Sequence, residues 1–523
     1  MKKQTIGIII TILIAIALVG CGKQNDNAAG VKKNQLIYAS ESEFDGLNPV
    51  LEETNVDALL FRGLFRFNEN NEAVKDIAES YTMSEDKRTY TFKLREGITF
   101  HDGEPLTAED VIFTIESILD DQNTSFLKSD FTEVDSLKEI GAYEVEMTLK
   151  QPFTPILDKL TVPILPKHAF EGQDMRTASF TSHPIGAGPY QFEQWNRGAS
   201  LTLTAYPDFY GTTPSIEKVI FKFIPDSNVR ALQLASGEVD IALLDPNQVA
   251  EMEKKEHLNI YDVETADYRG MLFNMNEPLW QDQRVRQAFS YAIDRSQIVK
   301  GILKGYGEEA YSPLQKHAFH NESIEKYSYD IAKAEALLDE AGWKKGDDGV
   351  RQKEGITLAF TITAPASDAV RVNMANYIAE DFKAIGAQVE VAALDWSAIT
   401  IEETEAFMIG WGSPYDADHH TYSLFHSSES PLTSSGYNYG SYANPVVDEW
   451  LEKGRLATDV EEREASYKAF QEALANDPAF AFIAYADAVY GMNKQVEGVK
   501  ERILGHHGSG FLWNVEEWNW NDR

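Results

Sequence analysis

The chain has 523 residues, a formal net charge of -36 and one cysteine, and 43% of its residues are hydrophobic. This acidic excess argues against nucleic acid as a partner, because phosphates are bound mainly by Lys and Arg, but it leaves cationic ligands such as metal ions open. The single cysteine excludes a disulfide within the chain. The length is too great for one ordinary domain and indicates two or three domains.

The first 33 residues predict export and a lipid anchor. Lys2 and Lys3 precede the uncharged apolar run Thr5–Leu18, and the sequence Leu-Val-Gly-Cys ends at Cys21. A short basic region, an apolar stretch and small residues describe a secretory signal peptide. The apolar stretch is shorter than the roughly 20 residues of a membrane span. The terminal cysteine resembles the bacterial lipobox, in which the signal is cut before the Cys and its thiol is acylated.

We therefore predict a signal peptide over residues 1–20, acylation at Cys21, and a small, polar, flexible tether over residues 21–33. The rest of the chain would then be an extracytoplasmic body, held at the outer face of the bacterial cell membrane by the lipid on Cys21.

Strands and helices alternate along the body. The first predicted strand is Leu36–Glu41, a helical spacing follows over Val56–Phe67, and period-two alternation marks a strand over Tyr90–Leu94. Further along the chain, the same patterns predict two helices, Val285–Tyr291 and Ala332–Ala341, and two strands, Thr357–Thr363 and Gln388–Ala393. This alternation is typical of α/β lobes whose sheets are covered by helices.

Polar residues near two turns have structural explanations. Thr107 and Asp110 have capping-box spacing, which predicts a helix over Ala108–Leu119. His101 and Asp102 precede a glycine in a turn-forming stretch, so we predict turn roles for them and not catalytic ones. The acidic segment of residues 346–349 could suggest calcium, but it lacks the roughly 12-residue ligand spacing of an EF-hand loop and is predicted to be a hairpin turn.

A series of motifs follows one order along the body. LREGITFHDG at Leu94–Gly103 precedes LTAEDV at Leu106–Val111. The later motifs are IGAGPY at Ile185–Tyr190, AYPDFYG at Ala205–Gly211, LASGEVD at Leu234–Asp240, VRQAFSYAIDR at Val285–Arg295 and AEALLDEAGW at Ala334–Trp343. Together they resemble the extracellular solute-binding proteins of family 5, the peptide- and nickel-binding components of ABC importers. Each motif alone is weak, but the ordered set covers nearly all of the body.

The resemblance implies an α/β fold of the type II periplasmic-binding-protein kind, with two lobes around a ligand cleft. The first lobe would be discontinuous, with residues 34–273, an extra subdomain at about 53–170 and a return over residues 485–523. The second lobe would span residues 274–484. The chain would cross between the lobes near Tyr268–Asn274 and Phe480–Tyr485, and the lobes would close on ligand by hinge motion. The implied partners are an ABC permease and its ATPase, with the protein itself a monomer.

The stretch GWGSPYDADHH at Gly410–His420 is the main candidate for the ligand site. In peptide-binding relatives a G-W-x-x-D pattern supplies an aspartate that pairs with the ligand's α-amino group, but the corresponding residue here is Pro414, so that anchor is missing. The stretch is also similar to the W-G-A-P-Y-D-P-H of nickel-binding members. That similarity implies that Trp411 and Tyr415 line a pocket for a metal chelate.

Histidines cluster near this stretch and again near the C-terminus. His419 and His420 close the stretch, and His506 and His507 lie in a glycine-rich loop. Imidazole suits nickel, copper and zinc, so these four residues are candidate metal ligands. The alternative is that they are surface or satisfied core groups.

A partner for a ligand carboxylate is less clearly marked. Nickel-binding members carry an arginine just before a V-S-P element, whereas the corresponding Leu160–Pro166 has no arginine. Arg269, beside Tyr268 at the predicted crossing, could bind a carboxylate bidentately or form a salt bridge between the lobes. Trp396 follows a predicted strand and could reach the cleft or pack in the core.

The sequence therefore favours a substrate-binding lipoprotein of an ABC importer that captures a metal chelate, with Ni(II) as cargo and not as a resident cofactor. The alternative on the same fold is an oligopeptide- or dipeptide-binding protein or a peptide-pheromone receptor. No nucleophile elbow, P-loop or His-Glu-x-x-His helix occurs in the sequence, so we do not predict an enzyme. The rival from another class is a surface metallohydrolase that uses the histidine pairs.

Overall fold

The structure is a computed structural model that describes residues 34–434 and 436–521. The predicted signal peptide, Cys21 and the tether lie outside the described residues. Within the described residues, no helix combines the length and the apolar character needed to cross a membrane.

The first lobe is built on a seven-stranded mixed sheet. Its central strand, Gln35–Ser40, pairs in parallel with Lys218–Phe223 on one side and Ile241–Leu243 on the other. Across the sheet the strands are ordered Leu258–Val263, Ala488–Asn493, Ile241–Leu243, Gln35–Ser40, Lys218–Phe223, Ser200–Ala205 and Tyr190–Asn196. One strand of this sheet comes from the C-terminal part of the chain, so the first lobe is discontinuous.

The second lobe is built on a six-stranded mixed sheet. Its strands are ordered Gly307–Glu309, Phe480–Ala486, Tyr268–Phe273, Ala406–Trp411, Ala359–Pro365 and Gln388–Leu394. The strand Tyr268–Phe273 is buried along its whole length, and it pairs antiparallel with both neighbours. This strand was assigned to the first lobe from the sequence, but its pairing places it at the centre of the second sheet.

The chain crosses between the two sheets at residues 264–267 and at residue 487, which we call the hinge. The two crossings are joined by hydrogen bonds. Thr265 Oγ1 donates to the carbonyl oxygen of Ala486 at 2.6 Å, and the Ala486 N–H donates to the carbonyl oxygen of Asp267 at 3.0 Å. We therefore propose lobe boundaries in the hinge, just before Tyr268 and just after Ala486.

A four-stranded antiparallel sheet forms a separate layer of the first lobe. Its strands are ordered Ala78–Met83, Thr89–Leu94, Glu144–Leu149 and Val134–Gly141. Smaller pairings join Phe65–Phe67 with Ala73–Lys75, Val496–Glu497 with Asn519–Trp520, and the three strands Lys344–Lys345, Arg351–Lys353 and Ile356–Thr357. The last group confirms the predicted hairpin, because residues 346–350 form its turn.

The α-helices among the described residues are Asp57–Leu60, Ala108–Leu119, Lys128–Phe131, Ile156–Lys159, Ser227–Ser236, Val249–Met252, Gln283–Tyr291, Arg295–Gly301, Ile331–Glu340, Ala369–Ala384, Tyr422–Phe425, Pro445–Leu456 and Val460–Asn476. The 3-10 helices are Lys167–Phe170, Ser179–Thr181, Pro278–Gln281, Trp396–Ala398, Ile401–Glu403, Ser427–Glu429, His506–Gly508 and Val515–Glu517.

Helix starts follow the capping residues in the sequence. Seven helices begin after an Asp or Asn whose side chain accepts one or more backbone N–H groups of the first turn: Asp226, Asp282, Asp294, Asp330, Asp368, Asn444 and Asp459. The predicted helix Ala108–Leu119 is confirmed, and the Thr107 N–H donates to Asp110 Oδ2 at 2.8 Å as a capping box requires.

The predicted helix over Val56–Phe67 is wrong beyond its first turn. The helix spans only Asp57–Leu60, and Phe65–Phe67 is a strand. Between them, a Cβ on Gly63 would lie 2.5 Å from the carbonyl oxygen of Thr161. The backbone of this segment therefore packs closely against another segment, which turns the chain out of the helical path.

His101 has the structural role predicted for it. Its Nδ1 accepts the N–H of Gly186 at 3.1 Å, so the proton is on Nε2, which donates to the carbonyl oxygen of Gly188 at 3.1 Å. Burial lowers the pKa of His101 to about 4, which keeps the ring neutral. The histidine thus ties the HDG turn to the IGAGPY motif.

Candidate ligand-binding site

A cavity of about 500 Å³ lies between the two lobes. Its walls come mainly from four stretches: residues 49–67 and 126–163 of the first lobe, residues 411–437 of the second lobe, and residues 502–513 of the C-terminal return. This volume is within the usual range of sites for small molecules.

Two aromatic residues predicted from the sequence, Trp411 and Tyr415, line the cavity. The Trp411 ring packs on Tyr437, with centroids 4.6 Å apart, and stacks on His506 at 5.4 Å. Tyr415 stacks on Phe67 of the first lobe, with centroids 3.7 Å apart and ring planes 7° from parallel. Both rings therefore form part of the cavity wall, and the first lobe contributes the Phe67 ring to it.

Gly412 shapes the backbone between these two aromatic residues. Its φ is +143°, a conformation that residues with a side chain rarely adopt. A Cβ here would lie 1.7 Å from the carbonyl oxygen of Ala266 in the hinge. The glycine of this motif thus lets the chain leave the sheet beside the hinge and enter the cavity wall.

The adjacent His419 and His420 also line the cavity, with ring centroids 4.3 Å apart. Burial and the nearby Lys159 charge lower the pKa of His419 to about 3, and burial beside His419 holds the pKa of His420 well below its ordinary value. Both rings are therefore neutral at neutral pH, which is the form that binds metal ions. His420 Nδ1 lies 3.2 Å from the carbonyl oxygen of Gly412, so it must donate there, and Nε2 keeps its lone pair.

The C-terminal histidines gather around a buried carboxylate in the hinge, and neither of them lines the cavity. His506 Nδ1 donates to Asp267 Oδ1 at 2.9 Å, and the backbone N–H of His507 donates to Asp267 Oδ2 at 2.9 Å. Asp267 also forms an ion pair with Arg269. The structure therefore gives Arg269 a salt-bridge partner in the hinge.

Asp267 is the ionised centre of this network. Burial alone would raise the pKa of Asp267, but Arg269 and His506 outweigh burial and hold it well below its ordinary range. Arg371 joins the network by donating to His507 Nε2 at 3.1 Å. Burial and the charge of Arg269 lower the pKa of Arg371 to about 10. Two buried guanidiniums thus depend on Asp267 for part of their charge balance.

Three other residues singled out from the sequence also do not line the cavity. Tyr268 is 1% exposed and packs edge-on against Phe482 within the second lobe. Trp396 is 49% exposed and packs against Phe407 on the outside of the lobe. Pro414 precedes Tyr415 and offers no acceptor side chain, so the missing aspartate is not replaced at that position.

Sequence reasoning missed Arg502, a basic residue of the cavity wall. Its Nη1 donates to the carbonyl oxygens of Phe67 and Asn68, each at 3.2 Å, and its guanidinium lies 4.9 Å from the Trp513 ring. The one signal for it was its position four residues before His506.

Lys159 carries a second positive charge into the site and was also missed. Its Nζ lies 2.6 Å from Asp130 Oδ1 and 4.0 Å from Asp418 Oδ2. Arg455 holds Asp418 from the other side with two hydrogen bonds, at 3.1 and 3.0 Å. Burial would lower the pKa of Lys159, but the two carboxylates raise it above its ordinary value. This charge cluster joins the first lobe to the second.

Further contacts join the lobes at the rim of the cleft. Thr154 Oγ1 donates to the carbonyl oxygen of Ala457 at 2.6 Å, and Lys87 Nζ donates to that of Thr458 at 2.8 Å. The structure therefore shows the lobes closed over the cavity.

Within residues 34–434 and 436–521, no group of three or more His, Cys, Asp or Glu side chains is placed to hold a metal ion. His419 and His420 can supply two imidazoles. Because nickel is normally bound by more donors than two, a metal in this cavity would have to bring further ligands with it.

Two α/β lobes, a double-crossing hinge and a closed cavity with aromatic walls define a binding protein of the type II periplasmic class. The family model described as "Bacterial extracellular solute-binding proteins, family 5 Middle" matches residues 72–431. The chain therefore belongs to the bacterial extracellular solute-binding proteins of family 5, as its motifs had implied.

Relatives of the chain bind different ligands. It is 37% identical to NikZ from Campylobacter jejuni, which was solved in complex with Ni(L-His), with a TM-score of 0.91 over 94% of this chain and 100% of that one. It is 28% identical to the oligopeptide-binding protein AppA of Bacillus subtilis over 99% of both chains. It is 35% identical to Protein XP55 of Streptomyces lividans over 90% of this chain and 87% of that protein.

Proposed function

We propose that this solute-binding protein captures a nickel chelate, or a related metal chelate, outside the cell and delivers it to an ABC permease and its ATPase. The observation that carries the proposal is the pair of adjacent neutral imidazoles, His419 and His420, in a cavity walled by Trp411 and Tyr415. Two imidazoles can complete the coordination of a metal whose other donors belong to a small chelator such as histidine. The metal is cargo, and we assign no catalytic residues.

The likeness to NikZ, solved with Ni(L-His), supports a chelate over a bare ion. Among the described residues no group of three or more metal-binding side chains occurs. A site with only two imidazoles would bind a bare ion poorly, which supports the same choice. His506 and His507 are engaged around Asp267, so the proposal rests on His419 and His420.

An oligopeptide or dipeptide, including a peptide pheromone, is the second candidate ligand. It is favoured by the likeness to AppA over the full length of both chains and by the aromatic walls of the cavity, which suit apolar side chains. Pro414 argues against the usual aspartate–amine contact at that position.

Calorimetry tests the choice between the two ligands. We expect Ni(II) with L-histidine to bind, and Ni(II) alone or histidine alone to bind much more weakly. His419→Ala combined with His420→Ala should weaken chelate binding by about a hundredfold, since losses outside the first coordination shell already cost tenfold or more. His183→Ala is the control, because His183 is exposed and outside the cavity. Tight binding of metal-free peptides that the double variant leaves unchanged would overturn the metal proposal.

We further propose that the body is anchored by a lipid on Cys21, from the lipobox-like sequence that precedes it. Cys21→Ala should leave the precursor uncleaved or release the body into the medium. Membrane fractionation and intact mass of the mature protein measure this. A variant that is still cleaved normally and still carries lipid would rule the anchor out.

A further inference from the structure

One short segment of the second lobe, residues 415–418, makes successive contacts with the first lobe. The Tyr415 ring lies parallel to the Phe67 ring of the first lobe. The backbone N–H of Asp416, the next residue, donates to Asp158 Oδ2 of the first lobe at 3.1 Å. These contacts are made by protein atoms alone, so they can form whether or not a ligand lies in the cavity.

The second lobe holds this segment in place from behind. Asp416 accepts two hydrogen bonds from Arg463, at 2.6 and 2.5 Å. Asp418 accepts two from Arg455, at 3.1 and 3.0 Å. Both arginines belong to long helices of the second lobe. The Tyr415 ring is therefore presented to the first lobe by a segment that its own lobe has already fixed.

The first lobe fixes the backbone of Phe67 in a similar way. Arg502 Nη1 donates to the carbonyl oxygen of Phe67 at 3.2 Å, and Asn71 Nδ2 donates to the carbonyl oxygen of Ile503 at 2.9 Å. The turn after Phe67 is thus tied to the C-terminal return. Because the two backbones that carry the rings are each fixed within their own lobe, bringing the rings together costs little conformational entropy.

The two rings fit closely between the lobes. Their centroids are 3.7 Å apart and their planes are 7° from parallel, which leaves no room for a ligand group between them. One face of each ring is therefore removed from water when the lobes close. An aromatic pair contributes about two- to tenfold to an equilibrium constant beyond the area that it buries.

We propose that the Phe67–Tyr415 stack is an aromatic latch, which holds the two lobes together independently of the ligand. Phe67 is a positioning residue of the closed form, and the ligand-free protein populates the closed form as well as the open one. The inference goes beyond the proposed function, because the latch acts whichever ligand the cavity receives.

Small-angle scattering of the ligand-free protein tests the latch directly. Phe67→Ala removes the ring stack, so the ratio of closed to open forms should fall about two- to tenfold, and the radius of gyration should exceed that of ligand-free wild type. Phe67→Leu keeps an apolar side chain but has no ring, so it should change the radius in the same direction, and it replaces the alanine variant if that variant does not fold. Equal radii for ligand-free wild type and the Phe67 variants would overturn the latch.

Tyr81→Ala is the matched control for these variants. Tyr81 is an aromatic residue of the same lobe that lies outside the cavity lining. Its ring packs on Phe65, Tyr90 and Phe92 of its own lobe. Its loss should leave the radius of gyration of the ligand-free protein unchanged. A change as large as that of Phe67→Ala would mean that losing any aromatic residue expands the first lobe, and it would refute the latch.

Stopped-flow kinetics with Ni(II) and L-histidine as the probe gives a second measurement. The Phe67→Ala complex should release the probe about two- to tenfold faster than wild type, since the closed form that retains the probe has lost a contact. If the probe binds but both Phe67 variants release it as slowly as wild type, the latch is refuted and the proposed function stands. If wild-type protein does not bind the probe, the proposed function fails, and the scattering of ligand-free protein still decides whether the latch exists.

Discussion

Asp267→Asn should lower the free energy of unfolding by about 3–5 kcal/mol, which is the usual cost of breaking a buried ion pair by removing one partner. The substitution removes the charge that neutralises Arg269, while His506 and the backbone of His507 lose a charged acceptor. Chemical denaturation monitored by tryptophan fluorescence measures the loss.

The pH dependence of this effect has a definite sign. The pKa of Asp267 in the folded protein is held below its ordinary value, so its contribution is fully present above the unfolded pKa of about 3.9. The contribution is lost as the pH falls through the lowered folded pKa. The difference between wild type and variant should therefore be constant from about pH 5 to 8 and shrink only in strong acid.

Asp347→Asn is the control for this prediction, because Asp347 lies exposed in a hairpin turn and should change stability by less than about 0.5 kcal/mol. Equal unfolding midpoints for Asp267→Asn and wild type would show that the network does not stabilise the hinge.

Lys159→Met should destabilise the closed form by about 3 kcal/mol. The Lys159 side chain is 3% exposed and its ammonium lies between Asp130 of its own lobe and Asp418 of the other. Methionine matches the length of lysine but leaves Asp130 without its cation, and a buried charge that loses its partner is costly. Part of the cost should appear as weaker ligand binding, because both lobes line the cavity in the closed form.

Small-angle scattering with and without saturating ligand measures closure of the variant. We expect its radius of gyration to stay nearer the open value than that of wild type. Lys128→Met is the matched control: Lys128 pairs with Asp121, whose side chain is 93% exposed, and exposed pairs contribute less than about 1 kcal/mol. Identical closure and identical ligand affinity for Lys159→Met and wild type would refute the prediction.

Much of the fold could be predicted because its signals are local. The capping spacing of Thr107 and Asp110 defined the start of a helix that the structure confirms. Period-two alternation marked Tyr90–Leu94, which lies within the observed strand Thr89–Leu94. The pattern over Val56–Phe67 failed because the conformation there depends on a close approach to Thr161, about 100 residues away. No local pattern reports such a contact.

The residues of the candidate site likewise fall into those marked by a local motif and those brought to the site only by the fold. Trp411, Tyr415, His419 and His420 lie within ten residues of one another, so one motif carried all four. Arg502 and Lys159 line the same cavity only because of the fold, since both lie far from this motif in the sequence. Arg269 was offered either as a ligand contact or as a member of a salt bridge between the lobes, and in the structure it pairs with Asp267, an acid two residues before it.

The two crossings of the hinge are joined by hydrogen bonds, so we expect the lobes to rotate about a single hinge axis. Two short segments tied side by side resist twisting, so the lobes can swing but cannot readily slide or rotate independently. When one lobe rotates about the hinge, the displacement of an atom grows with its distance from the hinge. Trp411, beside Gly412 and Ala266, lies near the hinge and should move little when the lobes open. The contact of Thr154 with Ala457 at the rim should separate most. In the open form a solute would then meet an aromatic wall that is already in place near the hinge. The large change on closure would occur at the rim of the cleft, where a membrane partner could distinguish the two forms.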